Sequence, residues 1–192
     1  MLLQREINEE INIFAAKKAQ ENKIIVTLDV GGQDTEISKE LIKNTNIISP
    51  NETELIRLLG KETILESESD FINACLEIRK KYDNSSLEFL IKLGAKGAMF
   101  ITKDNIIYKQ NAFSIKSMPI VDTTGAGDCF TGSFSGKYLE TLLLNGKPNI
   151  EESLEFGTAA AYKSITSFGA SNSMPTLDEL KKVLELAKEV NN

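Results

Sequence analysis

Compact β-branched runs alternate with stretches of helical spacing along most of this chain, and that alternation restricts its fold more than any other feature. The run Lys23-Ile24-Ile25-Val26-Thr27-Leu28-Asp29 ends at Gly31-Gly32 and predicts a buried strand. Ahead of it, Ile7, Ile11, Phe14 or Ala15, and Ala19 recur at helical spacing over 7–21, which predicts an amphipathic helix with those residues as its apolar face. A short helix is expected over 38–43 and a strand over 46–49; Pro50 ends that strand, and Asn51 opens a helix through Leu59 that Gly60 closes. Helical spacing returns over 70–82 and a compact apolar run over 87–93. Gly94-Ala95-Lys96-Gly97 then turns into 98–102, Lys103-Asp104-Asn105 turns again, and 106–109 returns as a meander of hairpins. A strand-like stretch near 113–116 precedes a Gly-rich segment and three helices, over 127–144, 150–166 and 177–190. The expected class is α/β, with a largely parallel sheet and an antiparallel hairpin portion.

Composition excludes several function classes. Lys and Arg total 22 against 28 Asp and Glu, a formal net charge of −6, with no dense cationic cluster, so nucleic acid is not an expected partner. The absence of histidine removes Ser-His-Asp and Cys-His catalysis and every His-containing zinc site. Cys75 and Cys129 form neither a disulfide framework nor a metal spacing, which points to a reducing compartment, with cytoplasm as the expected location. The amino terminus lacks the basic-then-apolar order of a signal peptide. No apolar run approaches the roughly 18 residues of a membrane span, so no membrane partner is expected. With no repeat, linker or low-complexity tract, residues 1–192 read as one domain. Met1-Leu2-Leu3-Gln4 looks like the end of a strand without its beginning, so the expectation is a truncated domain.

The segment most informative about chemistry is Asp122-Thr123-Thr124-Gly125-Ala126-Gly127-Asp128. Two glycines around an alanine, just before a helical pattern, let backbone N–H groups face outward at a helix amino terminus, where the dipole also favours an anion. Neither the Gly-x-x-x-x-Gly-Lys-Ser/Thr loop nor a dinucleotide fingerprint occurs. Read by itself, the segment is equally a Gly-rich turn with Asp128 in the first turn of a helix for capping reasons. Asn51 and Glu54 likewise have the spacing of a capping box.

The filled pattern at 122–128 resembles the carboxyl-terminal signature of the ribokinase-like carbohydrate kinases, the PfkB family. Asn51-Glu52-Thr53-Glu54 is similar to that family's Asn-x-x-Glu motif. Ile91-Lys92-Leu93-Gly94-Ala95-Lys96-Gly97, Phe156-Gly157-Thr158-Ala159-Ala160-Ala161, and Gly169-Ala170 ahead of Ser173-Met174-Pro175 extend the similarity over nearly the whole chain, in order. Leu3-Gln4-Arg5-Glu6 is similar to a strand end of the ribokinase branch. The resemblance implies a three-layer α/β/α fold and transfer of the γ-phosphate of ATP to a primary hydroxyl of ribose or a related small sugar, with Mg²⁺ and a K⁺ activator. In that scheme Asp128 is the general base and also touches the sugar, the amides of Gly125, Ala126 and Gly127 form the anion hole, and Glu6 contacts the sugar. Asn51, Lys92, Gly94, Gly97 and Thr158 would lie by the nucleotide, and Glu54 would hold Mg²⁺ through water. Asp122, Thr124, Ser164, Ser167, Gly169 and Ser173 would surround K⁺. Two positions keep a second reading: Lys92, where the family more often has a small hydroxyl residue, is equally an exposed lysine at a strand end, and Asp122 with Thr124 is equally an Asx-type turn.

Full family members also carry amino-terminal strands, a β-sheet lid and further sugar contacts, none of which this sequence contains. Two functions therefore stand side by side: a sugar kinase, or a catalytically incomplete nucleotide-binding module or pseudokinase fragment. In either case a homodimer or a missing amino-terminal segment is the expected partner at the open strand edge.

Overall fold

The computed structural model describes residues 1–190, so residues 191–192 of the expected domain lie outside the described residues. Six strands form one sheet in chain order: β1 (Leu2–Leu3), β2 (Thr27–Asp29), β3 (Ile47–Ser49), β4 (Glu88–Lys92), β5 (Ala98–Ile101) and β6 (Ile107–Gln110). The pairs β1–β2, β2–β3 and β3–β4 are parallel. The connections from β4 to β5 and from β5 to β6 are too short for a crossover, so the last two strands add as antiparallel hairpins. The expected α/β class with a largely parallel sheet is what is found.

The chain resolves into two compact units, the first of Met1–Leu93 with Met99–Tyr108 and the second of Gly94–Ala98 with Lys109–Asn192. In the first, the crossovers are made by α1 (Glu9–Glu21), α2 (Lys39–Lys43), and the pair α3 (Glu52–Leu59) and α4 (Glu68–Tyr82). Strands β2 and β3 are buried along their whole length, as parallel strands covered by helices must be. Leu28, Ile48, Phe89 and Ile91 from the sheet and Leu55, Phe71 and Ile78 from the helices form one apolar core. Arg79 ties α4 to that core: its guanidinium donates to the carbonyls of Leu87 at 2.8 Å and Thr102 at 2.8 Å and to Asn105 Oδ1 at 2.7 Å.

Of the residues expected to form the apolar face of α1, Ala19 alone is buried. Ile7, Ile11 and Phe14 are exposed, whereas Asn12, Ala16 and Ala19 are buried. Small side chains let this helix lie close, and Asn12 donates its amide to the Gln4 carbonyl at 2.7 Å. β2 is also shorter than its apolar run, because Lys23 takes a left-handed conformation (φ 57°) and the Ile24 amide closes the end of α1 on the Ala19 carbonyl.

The second unit contains α5 (Ala126–Asn145), α6 (Ile150–Ser164) and α7 (Leu177–Val190). At Gly157 of α6 a Cβ would stand only 3.1 Å from Phe134 Cβ and 3.2 Å from the Phe130 ring of α5, so glycine permits the close approach of the two helices. The stretch 113–116 is not a strand. One phenol takes the place of a ladder there: Tyr162 Oη accepts the Ile115 amide at 2.9 Å and lies 2.8 Å from the Met118 carbonyl, satisfying backbone groups that a neighbouring strand would otherwise serve.

Candidate functional site

In the first unit the carboxyl ends of the parallel strands gather the polar residues, the place where sheets of this kind offer a crevice. β1 leads to Arg5 and Glu6, β2 ends at Asp29, β3 runs into Asn51, and β4 ends at Lys92. Asn51 caps α3: its Oδ1 accepts the Glu54 amide at 2.8 Å, and Glu54 Oε2 accepts the Asn51 amide at 2.7 Å. The capping box is therefore real, and it fixes the Glu54 carboxylate by one oxygen. The other oxygen, Oε1, faces Gly31, 3.2 Å from where a Cβ would be.

Lys92 is not an exposed lysine. Its side chain is 16% accessible, and its ammonium lies 2.8 and 3.0 Å from the two oxygens of Asp29, itself 13% accessible. A backbone bridge also sets Lys92 beside Asn51. Asp29 had no motif to mark it, and its partner is 63 residues away in sequence. Glu6 is exposed and stands against Gly32, where φ is 89° and a Cβ would lie 2.7 Å from Glu6 Cγ. Glycine is required at that approach. The loop that carries Gly32 is tied down by the buried Arg5, whose guanidinium donates to the carbonyls of Gln33 at 2.9 Å and Thr35 at 2.8 Å. A cavity of about 380 Å³ opens beside this loop, lined by Arg5, Asp34, Glu36, Glu54, Arg57 and Tyr82 among others.

In the second unit, Gly125 (φ 75°) starts α5 with no side-chain cap. The Cys129 amide makes the helix's first bond, to the Gly125 carbonyl at 2.9 Å, so the amides just before it have no helical acceptor. Ala126 turns its amide to the Thr123 carbonyl at 3.2 Å, whereas Gly127 and Asp128 lie in the first turn with theirs directed outward. Asp128 is exposed in that same turn. A Cβ at Gly125 would meet Ala170 Cβ at 2.9 Å, so the loop rests on the segment after α6.

Asp122 makes the same connection through its carboxylate. Oδ1 accepts the amide and the hydroxyl of Thr124 at 3.0 and 2.7 Å, and Oδ2 accepts the Gly169 amide at 2.9 Å. These bonds, that from Gly169 foremost, hold its pKa below the usual carboxylate value. Asp122, Thr124 and Gly169 are thus brought together. Ser164 and Ser173 are buried with their hydroxyls donated to the carbonyls of Ala161 and Ala170, and Ser167 sends its amide to the Ser164 carbonyl. All of these are oxygen-bearing groups suited to a hard monovalent cation. Among the described residues no three His, Cys, Asp or Glu side chains group as a metal cluster; Glu54 stands beside only Asp29, whose charge Lys92 meets, and a carboxylate so placed is the kind of ligand that a strongly hydrated Mg²⁺ takes through water.

Gly94 and Gly97 bracket a 3₁₀ turn, both with positive φ. Thr158 is buried on α6, and its Oγ1 has no hydrogen-bond partner among the described residues, a polar atom that a bound group could satisfy. Burial pushes the Cys75 thiol up to about 12 and raises that of Cys129 as well, so both favour the protonated form.

The pfkB family carbohydrate kinase model matches residues 2–177. The chain belongs to that family. It is similar to the ribokinase of Arabidopsis thaliana, 42% identical over 98% of this chain and 45% of that protein, and to the ribokinase of Lactococcus lactis, 34% identical over 96% and 53%. Among solved structures it is similar to Arabidopsis thaliana ribokinase complexed with ribose and ATP, with a TM-score of 0.81 and 39% identity over 97% of this chain and 55% of that one. Thermotoga maritima ribokinase follows with a TM-score of 0.71 and 32% identity over 96% and 56%. The chain spans about half the length of the curated relatives it matches. Among the described residues, no helix is long and apolar enough to cross a membrane.

Proposed function

We propose that this pfkB family chain carries the phosphoryl-transfer half of an ATP-dependent sugar kinase that acts on a primary hydroxyl of ribose or a related small sugar. The observation that carries this reading is the first turn of α5, where outward amides and the Asp128 carboxylate share one turn. The Asp128 carboxylate takes the proton of the sugar hydroxyl as its oxygen bonds to the γ-phosphorus of ATP; the bond from that phosphorus to the β-phosphate oxygen breaks, and ADP leaves. The first-turn amides of α5, with the helix dipole behind them, stabilise the charge on the transferring group. Of the amides at Gly125, Ala126 and Gly127, that of Ala126 is shared with the Thr123 carbonyl, so Gly127, with the neighbouring Asp128 amide in the same turn, is a stronger donor than Ala126 in this scheme.

Glu6 is assigned to the sugar. Asn51, Lys92, Gly94, Gly97 and Thr158 are assigned to the nucleotide, the orphaned Thr158 hydroxyl being the feature that most favours this. Glu54 would hold Mg²⁺ through water, and that ion would supply charge neutralisation at the phosphates. Asp122, Thr124, Ser164, Ser167, Gly169 and Ser173 would surround K⁺, which would add positive charge behind the α5 loop.

The outer side of β1, the last strand at one end of the sheet with Leu2 exposed, favours a second reading, a nucleotide-binding module that transfers nothing by itself and docks through that side. ATP consumption by the 192-residue chain with ribose and Mg²⁺, with and without K⁺, separates the two. The kinase reading expects ribose-dependent turnover that falls by about 10³-fold or more in D128N while ATP binding persists. Undiminished turnover in D128N removes Asp128 from the chemistry, and ATP binding without transfer selects the second reading.

A further inference from the structure

We propose that the Asp29–Lys92 ion pair is an electrostatic positioning device for the nucleotide polyphosphate, in which Lys92 cancels the Asp29 charge so that, of the two carboxylates beside Gly31, it is Glu54 that presents its charge to the phosphates. The proposal rests on the nucleotide reading above and names a residue, Asp29, that no motif marks.

Three observations support it. Asp29 Oδ1 and Glu54 Oε1 converge on the same glycine, 3.3 and 3.2 Å from where a Gly31 Cβ would stand. Two carboxylates so near one another at the strand ends would repel an incoming triphosphate, and Asp29 has a cation on it: both its oxygens lie within 3.0 Å of Lys92 Nζ. Next, the geometry is held from several sides. Asp29 Oδ1 also accepts the Gly31 amide at 3.0 Å, and Lys92 is anchored by its own amide to the Pro50 carbonyl at 2.8 Å, beside the Asn51 cap. Finally, the pair is largely sheltered from solvent, so its charges are weakly screened and a change in either is felt at neighbouring groups. Loss of either partner shifts the charge at the strand ends by one unit, in opposite directions in the two cases.

That opposition gives the test. The affinity of the purified chain for ATP with Mg²⁺ is measured by isothermal titration at low and at moderate salt, for wild type, K92M, D29N and the double variant. The near-isosteric K92M exposes a second carboxylate and is expected to weaken ATP binding about tenfold. D29N releases the ammonium and is expected to tighten binding several-fold at low salt, with a steeper loss as salt rises. The double variant offsets most of the K92M loss. If the pair is merely structural, both single variants lower the melting temperature and weaken binding together, and the proposal is overturned; it is equally overturned if neither shifts affinity. Should one single variant fail to fold, the sign of the other decides. Wild-type protein that binds no ATP removes the nucleotide reading itself, whereas wild-type binding with same-sign variants removes only the role given to the pair.

Discussion

The two units present polar groups by different means. In the first they are side chains at strand ends, each held by a partner: Asp29 by Lys92, Glu54 by the Asn51 amide, and the Gly32 loop by Arg5. In the second they are mostly backbone amides, set free by glycines with positive φ and by the start of a long helix. A strand end is fixed by the sheet and can aim a side chain, whereas a helix start already has its donors and needs only a loop that leaves them open. Substitution should therefore strike the two units differently: removal of a partner side chain should injure the first, and addition of a methyl group should injure the second.

The largest effect on stability is expected where a methyl group has nowhere to go. Gly97 has φ of 99°, and a Cβ there would lie 2.0 Å from the Gln110 carbonyl oxygen. G97A combines left-handed strain with a backbone clash and should cost about 3 kcal/mol or more, read as a drop in the urea midpoint. A loss below about 1 kcal/mol would show that the backbone yields, and the contrast between units would weaken. The first unit's counterpart is Arg79, only 5% accessible and donating to three oxygens. R79M keeps the volume but leaves buried carbonyls unpaired, and should cost about 2–4 kcal/mol in the same denaturation series. Next comes N51A, which removes one half of the α3 capping box and should cost about 1 kcal/mol, with helix content otherwise unchanged by circular dichroism.

Much of this organisation is legible in the sequence, and what is not has a physical reason. Local signals carried well: Asn51 with Glu54 read as a capping box and is one, and Gly60 closes α3 in a left-handed conformation. At the 122–128 loop the residues alone allowed either outward amides at a helix start or a Gly-rich turn with Asp128 there for capping, and α5 starts at Gly125 with no side-chain cap. Long-range choices did not carry. The Asp29–Lys92 pair joins residues two strands apart, and nothing in either neighbourhood names the other. On α1, periodicity selects Ile7, Ile11, Phe14 or Ala15, and Ala19, yet of these only Ala19 is buried, beside Asn12 and Ala16, because close packing rewards fit as well as hydrophobicity. At 113–116 an apolar run looks like a strand, but Tyr162, some 47 residues on, already satisfies its backbone.

The smallest effect is also the one that tests whether the second unit depends on any side chain at all. Asp122 joins the 122–125 loop to Gly169, and its pKa is depressed first by the Gly169 amide and then by Thr124. A carboxylate whose folded pKa lies below its unfolded value, about 3.9, contributes stability that is present above that value and lost as pH falls through the folded pKa. D122N keeps an acceptor for one partner but cannot offer two, and it no longer titrates. The stability gap between wild type and D122N, measured by thermal melting, should therefore be constant from about pH 7 to pH 5 and close as the pH drops below about 4. Asp70, Asp83 and Glu179 are depressed too, but they are common to both proteins and cancel in the difference. Because Asp122 is only half-buried, the gap should be small and should shrink with added salt. A gap that persists unchanged at low pH would mean that the loop is held by the packing of Gly125 on Ala170 and not by the Asp122 charge, and the second unit would then be fixed by its backbone alone.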